Sequence, residues 1–266
     1  MLDGDIINNL DCFDKTVILD NLNKKVNLKI LETVDSTNSY LKIHAENFSH
    51  GDVVIAKTQT NGKGRFARKF YSPENTGIYM SILLKPTLPP EFAVQITAAA
   101  AVAVSDAIEI LSGKKTEIKW VNDVLINGKK VCGILTESSL NPKTAELDRV
   151  IVGIGVNVYE AINGFDDEIK EIATAVFENR MRDNLNHLTA EIINRFSYYS
   201  ETLEYKTFYK KYKERSCVTG KKIHVVSNGN ITPATAKDID DNCRLLVEYE
   251  NGKQEFLNSG EISIRF

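Results

Sequence analysis

Apolar and polar positions alternate from residue 26, with Val26, Leu28 and Ile30 on one side and the run ending at Val34. That period of two predicts a half-buried strand. Asp35-Ser36-Thr37-Asn38 follows and has the composition of a helix N-cap, leading into the helical stretch SYLKIHAEN. The β-branched run VVIAKTQT after Gly51-Asp52 and the apolar run IYMSILLK at 78–85 predict two more strands, the second closed by prolines at 86–90. Residues 91–111 predict the strongest helix, alanine-rich and stopped by Ser-Gly. TEIKWVNDVLI, the Asn127-Gly128 turn, KKVCGILTES and RVIVGIGVNV then predict strands in quick succession. Their short connections imply antiparallel neighbours and argue against a Rossmann series. Two helices are expected over 169–180 and 189–213.

From Cys217 the texture changes to short strands only: KKIHVV, ITPATAKDI, CRLLVEYE, QEFLN and EISIRF, with Asn/Gly/Asp turns between them. This spacing predicts a small β-barrel module. The expected division is therefore an α+β unit over 1–214 and a β-module over 215–266. The length, 266 residues, suits one large domain plus a smaller one.

Composition narrows the picture by exclusion. Thirty-three basic side chains balance 36 acidic ones, and the pI of about 5.9 argues against a general nucleic-acid binder. Any site for a polyanion must be local. Cys12, Cys132, Cys217 and Cys243 lie far apart, as do the four histidines, so no metal-ligand spacing appears and reduced thiols are expected. The acidic N-terminal stretch has no signal-peptide core, and ITAAAAVAV at 96–104 is too short to span a bilayer, so a cytoplasmic protein away from membranes is expected.

One loop changes the electrostatic picture. Gly62–Lys69 reads G-K-G-R-F-A-R-K, four cations and two glycines in eight residues, at the end of a predicted buried strand. A charge run is ordinarily a solvated surface loop. Glycines beside cations, however, let backbone approach a ligand while arginine forks grip phosphate or carboxylate oxygens. A Walker A loop is excluded because Gly64, not Ser or Thr, follows Lys63. A dinucleotide fingerprint is excluded because no helix and no acidic residue follow at the required places. Lys119, ahead of the single tryptophan, reads from spacing alone as an edge-strand lysine facing water, with a charge awaiting a bound anion as the alternative. Asn157 is a polar residue in an apolar strand and needs a partner if buried.

DSTN at 35–38, QTNGKGRFAR at 59–68, KWVND at 119–123, GILTE at 133–137 and GIGVNV at 153–158 together resemble the biotin protein ligases, in that family's order and spacing. The ending GEISIRF resembles the close of the family's C-terminal SH3-like module. The resemblance implies a mixed, largely antiparallel sheet flanked by helices, of the class II synthetase-like kind, plus that module. It implies activation of biotin with MgATP to biotinyl-5′-AMP, then transfer to a lysine of a biotin carboxyl carrier domain. By resemblance, Ser36, Thr37, Asn38, Gln59, Lys63, Gly64, Arg65 and Lys119 would hold biotin. Arg65, Arg68, Phe70 and Asn157 would hold the nucleotide, and Lys119, Arg65 and Arg68 would carry the chemistry. No resident metal is expected; Mg²⁺ would come with ATP.

Two positions depart from the family pattern: Lys63 stands where an arginine is usual, losing the planar fork, and Val121 stands where proline is usual. A lipoate or octanoate ligase or transferase of the same fold is the nearer alternative, and a transferase would need a nucleophile such as Cys132. A biotin-sensing repressor is a more distant one. About 25 residues precede the first predicted strand, too few for a helix-turn-helix reader, so no nucleic-acid partner is expected. Assembly as monomer or homodimer is left open, since an exposed sheet edge can pair two copies.

Overall fold

The computed structural model describes residues 11–227, 230–258 and 261–264. The first ten residues, on which part of the acidic N-terminal stretch falls, residues 228–229 and 259–260, and the last two residues of EISIRF lie outside them. In chain order the elements are α1 (Lys15–Asp20), β1 (Leu28–Val34), α2 (Thr37–His44), β2 (Val53–Gln59), β3 (Gly77–Leu84) and α3 (Phe92–Ser112). They continue with β4 (Glu117–Lys119), β5 (Asp123–Ile126), β6 (Lys129–Leu140), β7 (Leu147–Asn157), α4 (Asn184–Glu201) and α5 (Tyr209–Glu214). The chain closes with β8 (Lys222–Ser227), β9 (Asn230–Ile239), β10 (Leu245–Tyr249), β11 (Gln254–Leu257) and β12 (Glu261–Ile264).

β1 to β7 form one seven-stranded sheet in the order β1-β2-β3-β7-β6-β5-β4. The antiparallel expectation holds from β2 onward, whereas β1 runs parallel to β2 because α2 carries the chain across between them. β8 to β12 form a separate five-stranded antiparallel sheet, the β-module expected from its short strands.

The period of two in β3, β6 and β7 decides where chemistry can sit. Ile78, Met80, Ile82 and Leu84 of β3, with Val150, Val152, Ile154 and Val156 of β7, belong to the main core, which also holds the buried residues of α3 and α4. The alternate positions face the other way. At one end Leu83 and Ile151 pack with Leu41, Ala45 and Phe48 around α2 in a second, smaller core. At the other end the same face carries Tyr79, Ser81, Gly133, Gly153 and Gly155, where apolar bulk gives way to small and polar groups. Alanines at 98–101 and 103, all fully buried, let α3 lie close to its neighbours. α3 is the one helix among the described residues long and apolar enough to cross a bilayer, and most of it is buried within the fold.

Two helix expectations are corrected. Residues 169–180 make only one turn, because the sheet takes their backbone: Lys130 N–H donates to Ile172 O (2.7 Å), Thr174 N–H to Lys130 O (2.9 Å) and Val176 N–H to Asn157 O (2.9 Å). The helix expected over 189–213 begins earlier, at Asn184, and breaks after Glu201; Lys206 adopts φ 51° before α5 starts at Tyr209. α1 went unread in the sequence; Asp14 caps it through Thr16 N–H (2.8 Å).

Candidate functional site

The basic loop is a small flap. Phe70 N–H donates to Gly62 O (2.9 Å), Gly64 N–H to Arg68 O (2.7 Å), and Lys63 pairs with Lys69 in an antiparallel bridge. A Cβ on Gly62 would stand 2.5 Å from Phe70 O, so only glycine permits this closure. The tip residue Phe66 sits in the left-handed region (φ 54°, ψ 42°) and is 59% exposed, with the Arg65 guanidinium over its ring.

Beneath the flap is a narrow cleft of about 50 Å³ lined by residues including Ser36, Thr37, Asn38, Gln59, Lys63, Gly64 and Arg65. Ser36 precedes α2 in extended conformation, and Thr37 and Asn38 occupy its first turn; all three are buried. Thr37 gives its backbone N–H to Gln59 Oε1 (2.9 Å), and Gln59 Nε2 donates to Ser72 Oγ (3.0 Å), which donates to Phe70 O (2.9 Å). Gly133, Gly153 and Gly155 form the floor: a Cβ on Gly155 would meet Phe70 Cε1 at 2.5 Å, and one on Gly153 would overlap Asn38 Oδ1.

Beside the cleft lies a larger cavity of about 410 Å³, whose lining includes Arg65, Arg68, Phe70, Lys119, Asp123 and Asn157. Both spaces share Gly64, Arg65, Phe70, Asn122 and Lys130. Arg65 Nη1 donates to Asn122 Oδ1 (3.0 Å), and Asn122 Nδ2 donates to Ile134 O (2.9 Å). Asp123 stands opposite Lys119 across the β4–β5 pair, yet its carboxylate pairs with Lys130 Nζ at 2.7 Å. Half-buried Lys119 is left on the cavity wall with no hydrogen bond or ion pair to any described residue. Asn157 donates through Nδ2 to Thr174 O (3.2 Å), the partner its burial demands.

The structure thus gathers Ser36, Thr37, Asn38, Gln59, Lys63, Gly64 and Arg65 around the cleft, and Arg65, Arg68, Phe70, Lys119 and Asn157 around the cavity. Lys119 lines the second space and not the first. Sequence reasoning missed Lys130, Asn122 and the glycine floor. The Gly-x-Gly at 153–155 was the available signal, since a period-two glycine pair in an apolar strand strips one face for close approach.

The β-module reaches this site. Trp120 Nε1 donates to Cys243 O (2.9 Å), and Ile262 of β12 lines the cavity. The Trp120–Val121 peptide is cis, and Tyr212 of α5 donates its hydroxyl to Val121 O (3.1 Å). Cys132 is fully buried, and burial pushes its thiol well above the ordinary range, so it stays protonated in the core away from both spaces.

Comparison with known proteins places this arrangement. Residues 30–157 match the biotin/lipoate A/B protein ligase family, and residues 218–265 match the biotin protein ligase C-terminal domain. The bifunctional ligase/repressor BirA of Bacillus subtilis is 43% identical over 164 residues, covering 53% of this chain and 49% of that protein. The chain therefore spans about half the length of that relative. The biotin--[acetyl-CoA-carboxylase] ligase of Mycobacterium tuberculosis is 28% identical over 247 residues, 88% of each chain. Among solved structures, a biotin protein ligase from Aquifex aeolicus in complex with biotin and ATP is 30% identical with a TM-score of 0.74, covering 90% of this chain and 98% of that one. With the motifs, both domain matches and the fold in agreement, the chain belongs to the biotin protein ligase family.

Proposed function

We propose that the protein activates biotin with ATP to biotinyl-5′-AMP and transfers the biotinyl group to a lysine of a biotin carboxyl carrier domain. The observation that carries this reading is the shared wall: Arg65 and Lys130 border both the narrow cleft and the larger cavity. A carboxylate held in the first meets a phosphate held in the second at these cations. In our reading Ser36, Thr37, Asn38 and Gln59 grip the biotin head and Lys63, Gly64 and Arg65 cover its tail. Phe70 and Asn157 hold the nucleoside, and Arg68 and Lys119 the phosphates.

The reaction needs no protein nucleophile. The biotin carboxylate attacks the α-phosphorus and the bond to pyrophosphate breaks; the acceptor amine then attacks the mixed anhydride, loses its proton, and AMP leaves. Two anions must be brought together, and charge developing on the phosphoryl oxygens must be stabilised. Arg65, Arg68, Lys119 and Lys130 supply the positive charge. The position of Lys119, without a hydrogen bond or ion pair to any described residue, supports its assignment to the reacting centre, where a bound anion completes it.

Among the described residues no group of three or more His, Cys, Asp and Glu could hold a metal ion. A nucleotide-borne Mg²⁺ takes its ligands from phosphates and water with one or two carboxylates. Asp123, the carboxylate on the cavity wall, fits that need. When bound, the ion neutralises phosphate charge.

A cleft of about 50 Å³ is smaller than ordinary ligand pockets of roughly 300 Å³ and more. Ligand entry therefore requires the 62–70 flap to lift, and its return excludes water from the anhydride. Buried Cys132 lines neither space, which argues against a cysteine-dependent transferase. We assign the protein to the cytoplasm, with the catalytic unit ending near residue 214 and the β-module starting near 215. We leave its assembly as monomer or homodimer. Of the two edges of the large sheet, β4 is covered by the Ile118–Ser216 bridge, while β1 has no second strand partner among the described residues.

The test is a mass measurement on a biotin carboxyl carrier domain after incubation with the protein, biotin and MgATP. The reading predicts one added biotinyl group, absent when ATP is omitted. An unmodified carrier domain would refute it.

A further inference from the structure

Resting on the biotin reading of the cleft, we propose that Glu137 is a positioning residue for biotin binding, acting through Asn38 to set the direction of the hydrogen bonds behind the cleft. Glu137 lies on the site face of β6, opposite Ile151 and two positions beyond Leu135. It does not line the cleft, but its Oε2 accepts from Asn38 Nδ2 at 2.8 Å. The same Nδ2 reaches Leu135 O at 3.3 Å, so both its partners are acceptors. Asn38 Oδ1 lies 2.6 Å from Ser81 Oγ and sits where Gly153 has no side chain. The amide is thereby held one way round, with Oδ1 toward Ser81.

That orientation decides the rest of the chain of bonds. Ser81 Oγ also lies 2.7 Å from Thr37 Oγ1, and a hydroxyl has one proton to give. Because Oδ1 can only accept, the single Ser81 proton goes to Asn38 (2.6 Å) in preference to Thr37 Oγ1, the other acceptor within its reach. From the opposite end, Gln59 is fixed by the backbone: its Oε1 faces Thr37 N–H (2.9 Å) and Thr37 Oγ1 (3.2 Å), and its Nε2 faces Ser72. Thr37 thus gives its proton to Gln59 Oε1 and, with the Ser81 proton held by Asn38, keeps its own lone pairs available to a donor in the cleft. Asn38, Thr37 and Ser81 are all buried, so water cannot re-pair these groups cheaply. Of the side chains in the chain of bonds, Glu137 is the one that offers Asn38 an acceptor, alongside the backbone carbonyl of Leu135.

Glu137→Gln keeps the shape but introduces a group that both donates and accepts. Asn38 can then turn over, Ser81 can give its proton to Thr37, and the lone pairs offered to the cleft are lost. The experiment is titration calorimetry of biotin on wild type and Glu137→Gln, with the KM for ATP and the melting temperature measured alongside. Glu137→Gln is expected to weaken biotin binding about tenfold, the worth of one charge-assisted hydrogen bond. The ATP KM should stay within about twofold, because no member of the chain touches the larger cavity except through Phe70. Biotin affinity within about twofold of wild type, or an ATP KM rising in parallel, overturns the assignment. A wild-type protein that binds no biotin overturns the functional reading itself, and this one with it.

Discussion

Arg65 of the basic flap donates from Nη1 to Asn122 Oδ1 at 3.0 Å, joining two sequence segments 57 residues apart at the boundary between the cleft and the cavity. The bond matters because Asn122 is itself fixed: its Nδ2 donates to Ile134 O at 2.9 Å, and Ile134 N–H returns a bond to Asn122 O at 3.0 Å. An arginine on a flap is thereby held by a residue anchored to the sheet.

Asn122→Ala should release this hold while leaving the cation present. A hydrogen bond to a charged group is worth about 1.5–3 kcal/mol, so single-turnover adenylate formation should slow by roughly 10- to 100-fold. Unaltered single-turnover rates would show that Arg65 is positioned by the flap alone.

Lys119→Ala should remove charge from the reacting centre. Loss of one preorganised donor to a developing oxyanion typically costs about 10²–10³ in rate. Stability should be nearly unaffected, since Lys119 makes no hydrogen bond or ion pair with a described residue. Near wild-type adenylate synthesis by this variant would remove Lys119 from the chemistry.

The glycine floor offers a paired test. Alanine at 153 would intrude on Asn38 Oδ1, and alanine at 155 on the Phe70 ring, which already stands edge-on to Tyr79 with centroids 6.4 Å apart. Gly153→Ala should raise the KM for biotin and Gly155→Ala the KM for ATP, each about tenfold or more. Steady-state kinetics with one substrate varied at a time distinguishes them; identical effects on both KM values would contradict the division of the site.

These glycines show where sequence reading stopped. The flap, the Lys-Trp-Val-Asn-Asp segment and Asn157 were legible because charge, glycine and isolated polar residues stand out against an apolar background. So were the strands, β1 through its period of two and the others as apolar or β-branched runs bounded by turns, although the single run read at 116–126 breaks into β4 and β5. The roles of Asn122 and Glu137, although both stand in motifs that were read, and of Lys130 were not, because they come from registry across β4, β5, β6 and β7, which a linear pattern does not reveal. The helix expected at 169–180 failed for a related reason: helical composition there is overridden by hydrogen bonds to Lys130 and Asn157, both distant in sequence.

Away from the site, Asp106 of α3 is 4% exposed and receives Lys211 Nζ (2.7 Å), Tyr199 Oη (2.6 Å), Arg195 Nη1 (3.2 Å) and Arg215 Nη1 (2.8 Å). Burial pushes its pKa up, but the hydrogen bonds from Lys211 and Tyr199 and the charge of Arg215 outweigh burial and hold the carboxyl below its ordinary value. A depressed folded-state pKa gives stability that is present above the unfolded value, near 3.9, and lost as pH falls through the folded one. Asp106→Asn should therefore cost about 1.5–3 kcal/mol at pH 7, the worth of hydrogen bonds to a charged group, chiefly because mostly buried Arg215 loses a carboxylate partner while Arg195 and Lys211 stay partly in water. The gap should shrink as pH drops below ~3.9. Urea unfolding of both proteins at pH 7 and pH 3 measures it, and an equal gap at both would contradict the ion-pair account.

Activation of biotin with ATP is assigned to the cleft and the cavity together. Its most direct test is ATP–pyrophosphate exchange with biotin, lipoate and octanoate in turn. Exchange is expected with biotin and at background only with the other two acids. Exchange driven by lipoate or octanoate but not by biotin would contradict it.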